Sequence, residues 1–580
     1  MSDPRRGPKT SDSRLRYAVD ETPSGGLTLG LSLQVATVIL TGIILIPIIV
    51  LNAAGYPEGL EWAVFSALVV SGLATILQAR PVGPFGAGYA LYMGTSGAFI
   101  GVSAAAVAVG GLSLLATLVV VSSLVQFLFS ARLSFFRRLI TPTVGGTVIM
   151  LIAVNLFPIT TNMLAEVPAG FDPASPSPPL VACTAFVTIV LVSLYARGAA
   201  RLWAPLFGIV AGTVVAAPTG MLDWTPFAEA AWFGLPRSGW PGLDLSFDAR
   251  FFGLLVPFVI VTVIGAIETY GHAIAIQRVS NRTAVPVDFK VVQRGLNADG
   301  VGNLLSGLAG TVPNTTYSAS ISIADLTGVA ARRVALWGGI VIVLTASMPK
   351  LPALLQVVPG PVAGAYVFVF MVLLFRQGVR MVTTGGFGYE RGLIVCISFW
   401  VGLGFQFGFL FPDHLPQWSR GVLDNGMAAG GIVAVALTLL VSLKQRARHD
   451  VLEPSVRSLP TLHAALDRAA ERAGWDEVAI HRLQLAGEEA FLYLLERQEE
   501  SKPQSVRVAV RPVDDVLQIE LVAGPDDVNL EDRLGKLDED HQIVRDVGPR
   551  LLRHVAKEVK HEQFYDLDVL TVTVDTRALE

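Results

Sequence analysis

Cysteine is nearly missing from this chain: of 580 residues only Cys183 and Cys396 carry a thiol, each inside an apolar run with no metal-ligand spacing around it. That excludes a disulfide framework and a zinc-type cluster, and both read as packing residues. Charge is scarce as well, at 16% of residues with a net value of -4, so the basic face that a nucleic-acid partner requires is absent. No cofactor motif stands out either, and no cofactor is expected. The first apolar run, residues 29–53, is too long for a signal-peptide core and has no cleavage site behind it, so it is expected to be a span. What the chain has in quantity is apolar sequence. With 52% hydrophobic residues and a mean hydropathy of +0.56, it reads as an α-helical polytopic membrane protein, not a soluble enzyme.

Residues 1–26 are polar and basic and are expected to be a disordered cytoplasmic N-terminus. Fourteen apolar runs follow, near 29–53, 60–79, 91–107, 112–131, 138–157, 179–196, 201–219, 251–276, 293–310, 317–329, 333–348, 361–380, 389–410 and 427–444. They make residues 27–446 the transmembrane domain. Lys and Arg concentrate in cytoplasmic loops. With the N-terminus inside, the inner loops hold Arg80, Arg132, Arg137, Arg138, Arg197, Arg201, Arg278, Arg282, Lys290, Arg294, Arg332, Arg333, Arg376, Arg380, Arg391, Lys444, Arg446 and Arg448. The outer loops hold only Arg237, Arg250, Lys350 and Arg420. Both termini are therefore expected in the cytoplasm, and the loop at 158–178, which has no basic residue, outside.

Glu268 falls at the end of the apolar run FFGLLVPFVIVTVIGAIETYGH, with His272 four residues on. On a helix that spacing puts both on one face. A carboxylate deep in a bilayer costs several kcal/mol unless it faces protein or water, so it marks a substrate or proton site. About forty residues later GTVPNTTYSAS, residues 310–320, is broken by Pro313 and dense in hydroxyls, which no plain helix at that depth explains. Freed backbone inside a membrane is tolerated only where it is buried in protein or lines a cavity. The third span is also irregular, beginning RPVGPFGAGYALYMGTSGAF at residues 80–99. The third and tenth spans are each the third member of a set of seven, as a 7+7 inverted repeat requires. An extended stretch followed by a half-helix in each would aim two helix N-termini at one midplane pocket. The competing explanation, that these glycines only permit close helix packing, does not account for Pro313, Asn314, Thr315 and Thr316 together.

The stretch LNADGVGNLLSGLAGTVPNTTYSASISIADLTGVAARRV at 296–334, with ETYGH at 268–272 and YMGTSGAF at 92–99, resembles the nucleobase/ascorbate transporter family, the uracil/xanthine permeases. The resemblance covers roughly residues 29–445. It implies fourteen spans in a core domain (spans 1–4 and 8–11) and a gate domain (spans 5–7 and 12–14), and proton or sodium symport of a nucleobase. It also implies a homodimer in the cell (inner) membrane. The family's positions for the base match Glu268, His272, Tyr317 and Ser318, with Thr95, Ser96, Gly97 and Ala319 beside them and Asn314, Thr315 and Thr316 in support. Glu268 is also the implied proton carrier. The chain departs from the family in two places. Where uracil permeases have Asn-Thr-Thr-Tyr-Gly-Glu-Asn, it reads Asn-Thr-Thr-Tyr-Ser-Ala-Ser, so Ala319 replaces a carboxylate; and Gly97 stands where the third span is expected to carry an aromatic. A lost acceptor and a lost stacking surface favour a bulkier or differently hydrogen-bonded ligand than uracil. Asp325, six residues beyond Ala319, is about 9 Å along a helix and is a candidate substitute charge, or simply a half-helix end facing the cytoplasm.

Residues 450–580 read as a separate cytoplasmic α/β regulatory domain. GWDEVAIHRLQLAGEEAFLYLLERQEE is an amphipathic helix; SVRVAVRP, VLQIELVA and VLTVTV are strands; and a helix is expected near 545–560. LQLAGEEAFLYLL and DVGPRLLRHVAKEV resemble the histidine-kinase-like ATPase fold of anti-sigma-factor kinases. Tyr493 stands where that fold holds magnesium with an Asn, the glycine loop is missing from LVAGPDDVNL, and only Gly548 matches its second glycine motif. A degenerate module that does not hydrolyse ATP is expected. Three functions remain open from sequence: a cation-coupled nucleobase-type symporter, an anion carrier of the same fold, and a membrane receptor that signals through 450–580 without transporting. Glu268 argues against the second, because a midplane carboxylate repels an anion.

Overall fold

The computed structural model describes residues 15–131, 141–167, 175–282, 287–383, 387–411, 414, 423, 425–444, 448–496, 506–513, 516–523, 551–552, 554–563 and 568–575. The chain divides into two compact units, one built from residues 1–130, 140–282 and 291–435, the other from 436–580 with the short pieces 131–139 and 283–290.

The first unit is helical. Its elements, some of whose ends run past the unit's limits, are α1 (Gly25–Ala53), α2 (Leu60–Ala79), β1 (Met93–Thr95), α3 (Ile100–Ala131), α4 (Pro142–Asn155), α5 (Phe157–Leu164), α6 (Ser177–Tyr195), α7 (Ala204–Ala216), α8 (Ala249–Val279), α9 (Phe289–Ala309), β2 (Asn314–Thr316), α10 (Ala319–Thr327), α11 (Arg332–Ala346), α12 (Lys350–Gln356), α13 (Gly360–Thr383), α14 (Tyr389–Gln406) and α15 (Gly426–Lys444), about half of which lies in the second unit. Among the described residues, eight helices are long and apolar enough to cross a membrane, or nine if α11 and α12, bent by 79°, form one span. The third and fourth runs of the sequence are two helices within the range of α3, joined at a kink where Gly110 and Gly111 leave helical geometry, Gly111 with a φ of 68°.

Two groups of helices emerge from the packing. In one, α1, α2 and α11 pack on one another and α8 packs on α10; in the other, α13 packs on α4, α5, α6 and α7, with α14 on α4. Without a hydrophobic drive between helices in lipid, such contacts need small residues that let backbones close up. A methyl on Gly72 would lie 2.6 Å from the Gly339 carbonyl oxygen and one on Gly339 2.8 Å from that of Gly72; Gly146 and Gly378 meet in the same reciprocal way, at 2.7 and 2.6 Å. Small-residue packing thus accounts for these four glycines, all of which lie outside the two broken spans.

The expectation of disorder through residue 26 needs correction from Leu15 onward. The Arg16 and Tyr17 amides donate to the Gly328 carbonyl, and the Ala330 and Arg332 amides donate to the carbonyls of Tyr17 and Val19. Arg332 pairs with Asp20 and Arg282 with Glu21, each at 2.7 Å. Backbone groups at the turn after α10 need partners, and this segment supplies them.

In the second unit, β3 (Arg448–Leu452), β4 (Val506–Val513), β5 (Val516–Ala523), β7 (Asp568–Asp575) and β6 (Glu558–Gln563) form one antiparallel sheet in that order. Along β5 every second residue is buried, as one covered face demands. Leu462 and Leu466 of α16 (Leu459–Arg472), and Leu483 and Phe491 of α17 (Glu477–Glu496), share a core with Ile519, Leu521, Val572 and Val574. Two strands differ from expectation. β3 begins at Arg448, counted above with the basic residues of the inner loops, and residues 558–560 belong to β6 and not to a helix, because Val559 and His561 pair with Val572 and Leu570. Gly548 and the segment from Gly524 to Asp527 lie outside the described residues.

Candidate substrate site

Helix α8 is started by Asp248, whose carboxylate accepts the Arg250 and Phe251 amides as an N-cap. The Arg250 side chain and these amides hold that carboxyl below its ordinary range. Twenty residues on, Glu268 is half-buried, and its Oε1 accepts a 2.7 Å hydrogen bond from Gln377 Nε2 on α13. One turn later His272 Nδ1 lies 2.8 Å from Thr316 Oγ1, which is also 3.0 Å from Thr269 Oγ1. The four-residue spacing read from sequence therefore does place Glu268 and His272 on one side of α8, facing β2 and α13.

The broken spans meet. β1 and β2 pair antiparallel, with Met93 opposite Thr316, Gly94 opposite Thr315 and Thr95 opposite Asn314. The Ser96 amide donates to the Pro313 carbonyl, and the Tyr317 amide to the Tyr92 carbonyl, so the crossing strands supply each other's backbone bonds where lipid could not. Each strand runs straight into a helical segment: a 3-10 turn begins at Gly97 and leads into α3, and α10 begins at Ala319 after Ser318. Two helix N-termini thus open from one two-stranded crossing.

Residues named from sequence divide by exposure. Thr95 and Ser96 are buried; Thr95 Oγ1 donates to the Gly42 carbonyl at 3.1 Å, and its carbonyl accepts the Tyr317 hydroxyl at 2.7 Å. The Tyr317 ring lies over β1, 2.5 Å from where a Gly94 side chain would begin. Ser318 is exposed and Ala319 half-buried at the mouth of α10. Thr315 and Thr316 are buried, and among the described residues the Thr315 hydroxyl has no hydrogen-bond partner. Asp325 is exposed near the C-terminal end of α10, and among the described residues no hydrogen bond or ion pair joins it to the site.

Asn314 anchors the crossing. It accepts from Ser71 Oγ at 3.0 Å, donates to Ser306 Oγ at 3.1 Å, and its amide donates to Asn303 Oδ1 at 2.8 Å. Asn303 donates in turn to Gln126, and Gln126 Nε2 to Asp299 Oδ2 at 2.7 Å. Asp299, only 1% exposed, is a second acid inside the helical unit that sequence reading passed over, although an acid in an apolar run is the same signal that picks out Glu268. Gln377 and Phe370 were passed over too. Nothing along α13 distinguishes them, since their roles come from a helix more than a hundred residues away in the chain.

Paired half-helices, a titratable helix beside them and a second helix group facing both define a membrane permease of the inverted-repeat kind. Residues 26–411 match the family model described as "Permease family", and the chain belongs to that family. A Clostridium perfringens relative is 32% identical over 75% of this chain and 94% of its own. Xanthine permease XanP of Escherichia coli is 27% identical over 74% of this chain and 96% of its own, and uric acid permease PucJ of Bacillus subtilis 27% identical over 72% and 93%. The murine Slc26a9 anion transporter, solved in an inward-facing state, shares the fold with a TM-score of 0.50 at 12% identity, covering 75% of this chain and 71% of its own.

Proposed function

We propose that this chain is a secondary active transporter that carries a nucleobase-like heterocycle, such as uracil, xanthine or uric acid, by proton-coupled symport through a fourteen-span fold. Both termini are placed in the cytoplasm, the protein in the cell (inner) membrane, and the working unit is a homodimer. The observation that carries the reading is Glu268, held at 2.7 Å by Gln377 beside the β1–β2 crossing. A carboxylate there accepts the N–H groups of a lactam and exchanges a proton with water when the two helix groups part. The named substrates of XanP and PucJ support the ligand class. The likeness to Slc26a9 supports the fold alone, and Glu268 speaks against a permanently charged inorganic anion such as sulfate as cargo. Proteoliposome uptake of uracil, xanthine, uric acid and sulfate under an imposed pH gradient tests the proposal. Uptake of sulfate alone, or of nothing, would overturn it.

Ala319→Glu is expected to tighten binding of uracil or a related lactam. The new carboxylate would sit in the first turn of α10, where a helix N-terminus favours negative charge. A hydrogen bond to a charged group contributes about 1.5 to 3 kcal/mol. An unchanged binding profile would show that position 319 does not face the ligand.

The domain from 450 to 580 is proposed to regulate and not to bind nucleotide. Tyr493, at the position where the kinase-like fold needs a magnesium-holding Asn, is buried with its ring 6.2 Å from that of His561, edge to face. Full-length protein is expected to show no magnesium-dependent ATP binding by calorimetry. A micromolar affinity would instead favour the signalling role.

A further inference from the structure

Gly97 lacks the aromatic expected of the third span, yet the space beside it is filled by a ring from another helix. A methyl on Gly97 would lie 2.2 Å from Cζ and 2.3 Å from Cε1 of Phe370. Phe370 belongs to α13, and Gln377, seven residues further along, is the donor to Glu268. Seven residues are two helical turns, so both side chains leave α13 on one face. That face touches the site twice, at the start of the helical segment opening at Gly97 and at the carboxylate. Phe370 is half-buried.

We propose that Phe370 is the specificity-determining aromatic of this site, supplying from α13 the π face on which a planar heterocyclic base stacks. The inference rests on the reading of the site as one for a nucleobase-like ligand. Gly97 and Phe370 are complementary: bulk at 97 would expel the ring, and the ring fills what the missing side chain leaves. Stacking on an aromatic ring suits any base, since each presents a π face, and offset stacking needs the ring to lie flat against the ligand. Because α13 packs with α4 to α7 while α8 packs with α10, a base stacked on Phe370 and bonded to Glu268 bridges the two helix groups.

The test is equilibrium binding of radiolabelled uracil, xanthine and uric acid to detergent-purified full-length protein, with the melting temperature of each variant measured alongside. Phe370→Leu, which keeps the apolar volume and removes the π face, is expected to raise the Kd of the bound base about tenfold or more, and Phe370→Tyr to keep it within about threefold. Gly97→Phe alone is expected to lose binding, and Gly97→Phe combined with Phe370→Ala to regain it to within about fivefold of the unmodified protein. Unchanged affinity in Phe370→Leu, tighter binding, which would make the ring a plug, or a double variant no better than Gly97→Phe would each overturn the assignment. Should Phe370→Leu not fold, Phe370→Tyr and the double variant still decide. Binding of no base by the unmodified protein would overturn the nucleobase reading itself, and this inference with it.

Discussion

Glu268→Gln is expected to abolish uptake driven by a pH gradient, by at least about a hundredfold, while the protein still folds. The amide keeps the shape of the side chain and a carbonyl that can accept the Gln377 hydrogen bond, so the contact between α8 and α13 survives. What disappears is titration. Binding of the base should weaken less than transport, because a carbonyl still accepts one of its N–H groups. Uptake by this variant at the parental rate, measured in proteoliposomes with and without a pH gradient, would remove Glu268 from the coupling mechanism. The partner replacement separates the two roles of the pair. Gln377→Leu leaves the proton site and removes the donor, so the gradient dependence should persist even if the rate falls.

The largest effect on folding is expected from Gly339→Leu. The obstacle it meets is the Gly72 carbonyl oxygen, 2.8 Å from the first side-chain atom, with Ile76 at the same distance. Backbone cannot rotate away as a side-chain end can, so α2 and α11 must separate. Overpacking of a core costs about 1 to 3 kcal/mol where neighbours can adjust, and more where they cannot. Little monodisperse protein should be recovered after detergent extraction. Gly30→Leu is the control: nothing lies within 4 Å of its side-chain position and the residue is exposed, so a leucine there should be tolerated. Equal recovery of the two variants by size-exclusion chromatography would show that the Gly72–Gly339 crossing is not a close backbone contact.

Sequence alone determined the membrane class, the apolar segments and the two irregular spans, because hydropathy and helix breakers act locally and a bilayer punishes exceptions to them. It also picked out Glu268 and His272 as a pair on one face, since four residues along a helix return to the same side. It could predict that PNTTYS and YMGTSG end in half-helices. That they pair residue for residue, Met93 opposite Thr316 and Thr95 opposite Asn314, is a fact of two segments some two hundred residues apart. Only the tertiary structure decided which groups face Glu268. Gln377 and Phe370 sit in a helix whose local pattern says no more than apolar span, and they reach the site because small residues such as Gly146 and Gly378 let α13 settle against α4. The same holds for strand β3 and for the docking of residues 15–22, where a hydrogen-bonding edge elsewhere in the fold overrides a local sequence that reads as loop or tail. Local rules fix what each segment can be, and long-range packing fixes which side chains meet.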